Sequence, residues 1–219
     1  MTSPKALVLV SGGQDSATCL AIATDRYPGA VMAIGFDYAQ RHRVELEQAQ
    51  ILSDLAGVPF SRLDLSLLSQ LTHNALTRHD QTIVHEPGSL PSTFVPGRNH
   101  LFLSIAAIYA KQHDISLIYT GVCQTDFSGY PDCRDVFIKS LNVTLYLAME
   151  TQFQIETPLM WLTKAETVLK MKALERLDWY AHTHTCYEGK RPACGKCPAC
   201  ILRLKGFQEA GILDLIEYE

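Results

Sequence analysis

The chain has 219 residues, 47% of them hydrophobic, and a formal net charge of −4 from 19 basic and 23 acidic side chains. That length suits one α/β unit with a small appendage, and the apolar fraction is ample for a full core. The acidic balance, without a long basic run, argues against strong electrostatic binding to nucleic acid; the short first apolar run argues against a leader, and the longest apolar helical stretch, 101–110, is too short to span a bilayer.

In chain order, Ala6-Leu7-Val8-Leu9-Val10 is an apolar, glycine-bounded run that predicts a buried strand. Ser-Gly-Gly-Gln-Asp-Ser follows at 11–16, and residues 15–27 have helical content. Gly12 and Gly13 can take positive φ and bring bare N–H groups against an anion. The helix start adds unpaired donors and a positive dipole end, and Ser11 and Ser16 add hydroxyls. No lysine stands where a Walker loop needs one. Asp15 stands there instead, and a carboxylate beside phosphate implies an intervening cation, Mg²⁺. A capped turn with Asp15 or Ser16 as N-cap would also account for the stretch taken alone.

Residues 30–36 predict a second strand, 44–56 a helix with Leu46, Ala49, Leu52 and Ala56 inward, and 60–65 a third strand. Strand–helix alternation predicts a doubly wound parallel sheet, with ligands beyond the strands' carboxyl ends. Asp37 to His42 lies at such an end and is a candidate for adenine or ribose contact. Residues 72–96 are polar and aperiodic, and read as a lid or an interface segment. Arg98 stands at the entrance of a helix over 99–112, with Leu101, Ile105 and Ile108 on one face. A guanidinium there suits phosphate or carboxylate.

A strand over 115–121 delivers a polar loop at 121–134, with two carboxylates, two aromatic rings, two cysteines and an arginine. Phe127 or Tyr130 with Asp126 or Asp132 could stack on and hydrogen-bond a planar heterocycle. A helix over 136–150 and a strand near 154–157 follow. Thr163 and Glu166 have capping-box spacing for a helix reaching 177. Lys164 in its first turn opposes the dipole, which suggests an anion beside it. Cys186, Cys194, Cys197 and Cys200 space as Cys-x7-Cys-x2-Cys-x2-Cys. Four thiolates suit a closed structural Zn²⁺ site, with an iron–sulfur cluster as the alternative. His182 and His184 are surplus to that shell, and Cys19 reads as core. A last amphipathic segment begins at Ile201.

Together these residues resemble a known family. The 11–16 loop is similar to that of the N-type ATP pyrophosphatases, the PP-loop superfamily with an adenine nucleotide alpha hydrolase-like fold. Phe-Asp-Tyr-Ala-Gln-Arg-His at 36–42, Phe-Val-Pro-Gly-Arg-Asn at 94–99, the 121–134 loop, Glu-Thr-Pro-Leu-Met-Trp at 156–161 and the four cysteines narrow the resemblance to the 7-cyano-7-deazaguanine synthases, the nitrile-forming ligases of queuosine biosynthesis. The resemblance implies an ATP-binding α/β part over 1–180 and a C-terminal zinc-binding segment over 181–219. It implies nucleotide contacts from Val10, Ser11, Gly12, Gly13, Gln14, Asp15, Ser16, Ala17, Asp37 and Arg98, with Asp15, Arg98 and Lys164 in the chemistry. Substrate contacts would come from Asp126, Phe127, Ser128, Tyr130, Asp132 and Arg134. The implied reaction takes 7-carboxy-7-deazaguanine, ammonia, ATP and Mg²⁺ in the cytoplasm, without nucleic acid or membrane. A homodimer is allowed but not specified. Two rivals stand beside it: a tRNA thiolation enzyme using Cys133 or Cys123, and a zinc-ribbon binding protein without activity. One departure is Ala39, where the family usually has glycine; if positive φ is needed, alanine costs on the order of 1 kcal/mol.

Overall fold

A strand that is apolar on both sides has to be covered on both. The computed structural model, which describes residues 4–39, 44–72, 92–125 and 130–219, places Ala6–Leu9 as the central strand, β1. Four strands join it in parallel: β2 (Val31–Asp37), β3 (Phe60–Asp64), β4 (Leu117–Tyr119) and β5 (Gln154–Glu156). Their order is β3-β2-β1-β4-β5. Ala6 faces Val31 on one side and Leu117 on the other. Side chains alternate along β1, so Ala6, Val8 and then Val10 enter one apolar cluster while Leu7 enters the other.

Helices cover the two faces. α1 (Gln14–Arg26) and α2 (Val44–Leu55) bury Ala17, Leu20, Ala49 and Leu52 in the first cluster. α3 (Leu67–Leu71) packs Leu68 with Tyr38 and Val95. α4 (Arg98–Gln112) and α5 (Asp135–Met149) cover the second face with Leu103, Ala107, Ile138 and Leu141. α6 (Lys164–Ala173) and α7 (Pro198–Glu209) return to the first face, with Val168, Met171 and Phe207. Among the described residues, no helix is long and apolar enough to cross a membrane.

Three expectations need correction. On α4 the buried face is Leu103, Ala106, Ala107 and Ala110, while Ile108 is 55% exposed. Alanines let the helix axis approach the sheet closely, and the larger residues are displaced to its flanks. The helix expected to reach 177 ends at Ala173; Glu175 turns left-handed at φ 56° and a separate 3-10 helix spans Leu177–His182. The first helix is capped by Gly13 rather than by Asp15 or Ser16. The proposed lid at 72–96 falls largely on 73–91, outside the described residues.

The chain's end is pinned from within. Arg203, 1% exposed, uses all five of its N–H donors. Nε and Nη2 reach Asp214 at 2.7 Å each, Nη1 reaches the hydroxyls of Thr183 and Thr185 at 2.6 and 3.0 Å, and Nη2 also reaches the Tyr180 carbonyl at 3.2 Å. A buried guanidinium without these partners would be strongly destabilising, which explains why the network is complete.

Candidate active site

Strand order reverses between β1 and β4, and in an open parallel sheet that is where a ligand crevice forms. The loops leaving the two strands touch: a Cβ added to Gly121 would lie 3.0 Å from the Asp15 backbone carbon. Between them opens a cavity of about 340 Å³. Val10, Ser11, Gly13, Gln14, Asp15 and Ser16 all line it.

One glycine of the loop is set by its conformation. Gly12 has φ +86°, and a Cβ there would sit 2.0 Å from the carbonyl oxygen of Glu45 in α2. Gly13 is extended, with φ −87°. Gly12→Ala should therefore cost about 1–2 kcal/mol in backbone strain alone and push α2 away. A lowered unfolding midpoint together with weakened nucleotide binding would check this. The loop is braced by Ser16, whose hydroxyl donates to the Gly13 carbonyl at 3.0 Å and accepts the Ser11 N–H at 3.2 Å. From the C-terminal segment, the His184 N–H donates to the Gly12 carbonyl at 2.9 Å. No side chain caps α1, so its first N–H groups are available to an anion. The Gln14 side chain is 3% exposed, lines the cavity and lies beside the Tyr180 hydroxyl.

Lys164 is where α6 begins. The capping box is present, Thr163 accepting the Glu166 N–H and Glu166 accepting the Thr163 N–H. The anion that offsets Lys164 is a protein one: Nζ donates to both oxygens of Asp15, at 2.8 and 2.6 Å. Asp15 thus already has one cationic partner, the Lys164 ammonium, in this structure. This pair is partly buried, with side-chain exposures of 11% for Lys164 and 29% for Asp15.

Arg98, the first residue of α4, also lines the cavity. Its guanidinium lies 5.9 Å from the centre of the Tyr130 ring. Burial opposes its charge, but Tyr38, Tyr130, Cys133 and Tyr187 around it more than compensate, raising its pKa. Burial also raises the hydroxyls of Tyr38 and Tyr187. Tyr130 stacks on Phe94 and shares a 2.6 Å hydrogen bond with Thr93. Cys133 lines the cavity and accepts from the Asn99 amide at 3.2 Å.

Other expected residues are elsewhere. Asp37 is not among the cavity-lining residues, whereas Ile34, Phe36 and Tyr38 are. Strand alternation turns its side chain to the other side, where it pairs with Arg62 and accepts the Ala39 N–H at 3.2 Å. Ala39 does adopt positive φ, 56°, so the family's glycine has a conformational reason. Asp132 is buried and accepts the Asn99 N–H at 3.0 Å, which serves the first turn of α4. Arg134 precedes α5 at its exposed start, and Ala17 is fully buried in the core. Gly12 supports the loop from behind. Asp126, Phe127 and Ser128, like Gln40 to His42, lie outside the described residues. Glu45, Tyr187 and Arg203 line the cavity as well, beyond the residues expected there. Nothing local marks them, because each is brought in by an element packed from elsewhere.

The four cysteines converge. Cys186, Cys194, Cys197 and Cys200 are all buried, with their sulfur atoms within 4.8 Å of one another. The Cys194 and Cys200 sulfurs are 3.9 Å apart. Tetrahedral thiolates at the usual metal–sulfur length stand about 3.8 Å apart, so the set could hold a metal ion. The hydrogen bond between Cys197 and Cys200 pulls the Cys197 thiol down and pushes the Cys200 thiol up. His184 is no ligand; its Nε2 lies 3.1 Å from the Cys186 carbonyl.

A parallel α/β sheet with an uncapped glycine loop at its switch point defines a phosphate-loop α/β protein, here with four C-terminal thiols that could hold a metal. Residues 5–211 match the sequence model of queuosine biosynthesis protein QueC. The chain belongs to that family. It is 55% identical over 209 residues to the 7-cyano-7-deazaguanine synthase of Shouchella clausii (strain KSM-K16), covering 94% of each chain. Among solved structures, the ammonia-dependent NAD synthetase of Campylobacter jejuni is similar with a TM-score of 0.49 and 17% identity, over 80% of this chain and 66% of that one. The U34-tRNA thiolase NcsA of Methanococcus maripaludis has a TM-score of 0.48 and 14% identity, over 80% and 57%.

Proposed function

We propose that the protein is an ATP-dependent carbon–nitrogen ligase that converts 7-carboxy-7-deazaguanine and ammonia to 7-cyano-7-deazaguanine. The 55% identity across 94% of both chains to a synthase of that name carries the reading. ATP would be bound with its phosphates against the 11–16 loop, which the uncapped start of α1 supports. A carboxylate is a poor electrophile, so its oxygen first attacks the α-phosphorus and pyrophosphate leaves. Ammonia attacks the resulting mixed anhydride and AMP leaves, giving the amide. A second ATP activates the amide oxygen, and loss of AMP and a proton leaves the nitrile. The protein's part is alignment and charge stabilisation. Lys164 and Arg98, which both line the cavity, would neutralise phosphate and carboxylate charge. Tyr130 would stack on the deazaguanine, with the 126–128 stretch contributing further contacts. Mg²⁺ would accompany the nucleotide and offset the charge between triphosphate and Asp15. Zn²⁺ would occupy the four thiolates as a structural ion, with residues 181–219 as its segment. The expected setting is the cytoplasm, without nucleic acid or membrane.

The test is incubation with ATP, Mg²⁺, ammonium and 7-carboxy-7-deazaguanine, followed by mass spectrometry. Amide and then nitrile are expected, with two AMP per nitrile. Neither product appearing would overturn the assignment. Cys133→Ser should still form nitrile; complete loss would favour a thiolation-type use of that cysteine.

A further inference from the structure

The reaction proposed above has an unmet need. Its nucleophile must be ammonia, yet at neutral pH the available species is almost wholly ammonium, which has no lone pair. A group in the cavity has to bind the cation and take its proton next to the activated carbon. Asp15 is engaged by Lys164. Neither Asp37 nor Asp132 lines the cavity; Asp37 pairs with Arg62, and Asp132 accepts the Asn99 N–H.

Glu45 is different. It lies in the first turn of α2, lines the cavity, and is partly buried. Its own carbonyl packs closely against Gly12, which places its backbone beside the phosphate loop. Among the described residues its carboxylate makes no ion pair within 4.0 Å. The groups that act on it electrostatically are Arg98 on α4, Tyr38 at the end of β2 and Tyr187 beside the cysteine cluster. Asp15, Lys164 and Arg203 are the other charged residues lining the cavity.

We propose that Glu45 is the ammonium-binding carboxylate and general base of this site, an inference that rests on the ligase reading above. Ammonium hydrogen-bonds to the Glu45 carboxylate and gives it one proton. The freed ammonia attacks the carbonyl carbon of the mixed anhydride, forming the C–N bond while the C–O bond to AMP breaks and AMP takes the electron pair. The second surplus proton passes from nitrogen to solvent, and Glu45 returns its proton to water, so acyl-AMP and ammonium yield amide, AMP and two protons. Burial, only partly opposed by Arg98, lifts the Glu45 pKa to about 7. A base poised there is matched to proton transfer at neutral pH.

The experiment separates adenylation from nitrogen transfer in the full-length protein. Acid-dependent exchange of pyrophosphate into ATP needs no ammonia; amide formation from ammonium chloride does. Glu45→Gln should keep exchange within about twofold and lose roughly 100-fold or more in amide formation at neutral pH. Alkaline buffer, which supplies free ammonia, and hydroxylamine, which is already neutral at pH 7, should largely restore acyl transfer. A second readout is stability. With the folded pKa raised, the folded state holds a proton that the unfolded one has lost, so wild type loses stability as pH rises between about 4.5 and about 7, and Glu45→Gln does not. Full amide formation by Glu45→Gln, an equal loss of exchange and amide formation, or a raised Mg²⁺ requirement for exchange would each overturn the proposal. Wild type lacking any acid-dependent exchange would instead overturn the ligase reading, and this inference with it.

Discussion

Lys164→Met is expected to cut acid-dependent ATP–pyrophosphate exchange by about 100- to 1000-fold, the scale seen when a transition-state charge loses a fixed partner. The argument starts with placement. A lysine in a helix's first turn opposes the dipole, and α6 tolerates it because Asp15 lies 2.6 Å away. A triphosphate entering the loop brings far more charge than Asp15 alone, so the ammonium would bridge carboxylate and phosphate. The fold should survive the change. Removing one partner of a fully buried pair costs about 3–5 kcal/mol, but Asp15 is 29% exposed, and water screening brings the loss nearer 1–2 kcal/mol. Val168 and Met171 still anchor α6 in the core. The measurement is exchange rate beside an unfolding curve. Unchanged exchange in a folded variant would remove Lys164 from the chemistry.

Cys197→Ser is expected to release the metal and unfold the chain beyond about residue 183. Structural zinc contributes roughly 10–16 kcal/mol of apparent folding free energy in small domains, more than the segment's own packing can replace. Its own apolar cluster contains little beyond the cysteines themselves, Ala193 and Ala199, with Tyr187, Ile216 and Tyr218 at the edge, and the ties of α7 to the main core, Phe207 and the Arg203 network, are expected to loosen once Cys200 at its start is released. The effect should reach the nucleotide loop, because the His184 N–H holds the Gly12 carbonyl and His184 is two residues from Cys186. Metal analysis should find one zinc per wild-type chain and none in the variant. Amide exchange should rise both after 183 and at 12–16. A zinc-free, fully protected preparation would contradict this, and protection lost only after 183 would sever the link to the loop.

The two faces of the cavity were unequally legible in the sequence. The strand, the 11–16 loop and the helix after it are contiguous, and local chemistry dictates them: an apolar run, a glycine that must turn left-handed, donors left uncapped. The cysteine cluster was legible for the same reason, since three ligands fall within seven residues. The capping box at Thr163 and Glu166 was likewise local. Periodicity misled on α4, where the larger residues suggested one face and the alanines took another. Spacing records which residues share a side of a helix; it does not record how close the sheet will come.

Asp37 shows a second limit. Its place at a strand's carboxyl end was right, but a one-residue alternation sends its side chain to Arg62 and leaves Phe36 and Tyr38 in the cavity. Asp132 was likewise drawn to a backbone N–H, because a buried carboxylate needs a donor wherever one is nearest.

What the amino-acid order determined by itself was the parallel α/β class, the glycine turn into an uncapped helix after β1, and a cluster of four thiols that could hold a metal. Each depends on neighbours a few residues apart, whose sterics and hydrogen bonding act before any packing. Only the tertiary structure decided that Lys164 answers Asp15 across 149 positions, that Glu45 faces the cavity with Arg98, and that His184 ties the metal segment to the loop. Those pairings are set by how helices stack on a twisted sheet, and no local preference of the chain encodes the distance at which two such helices meet.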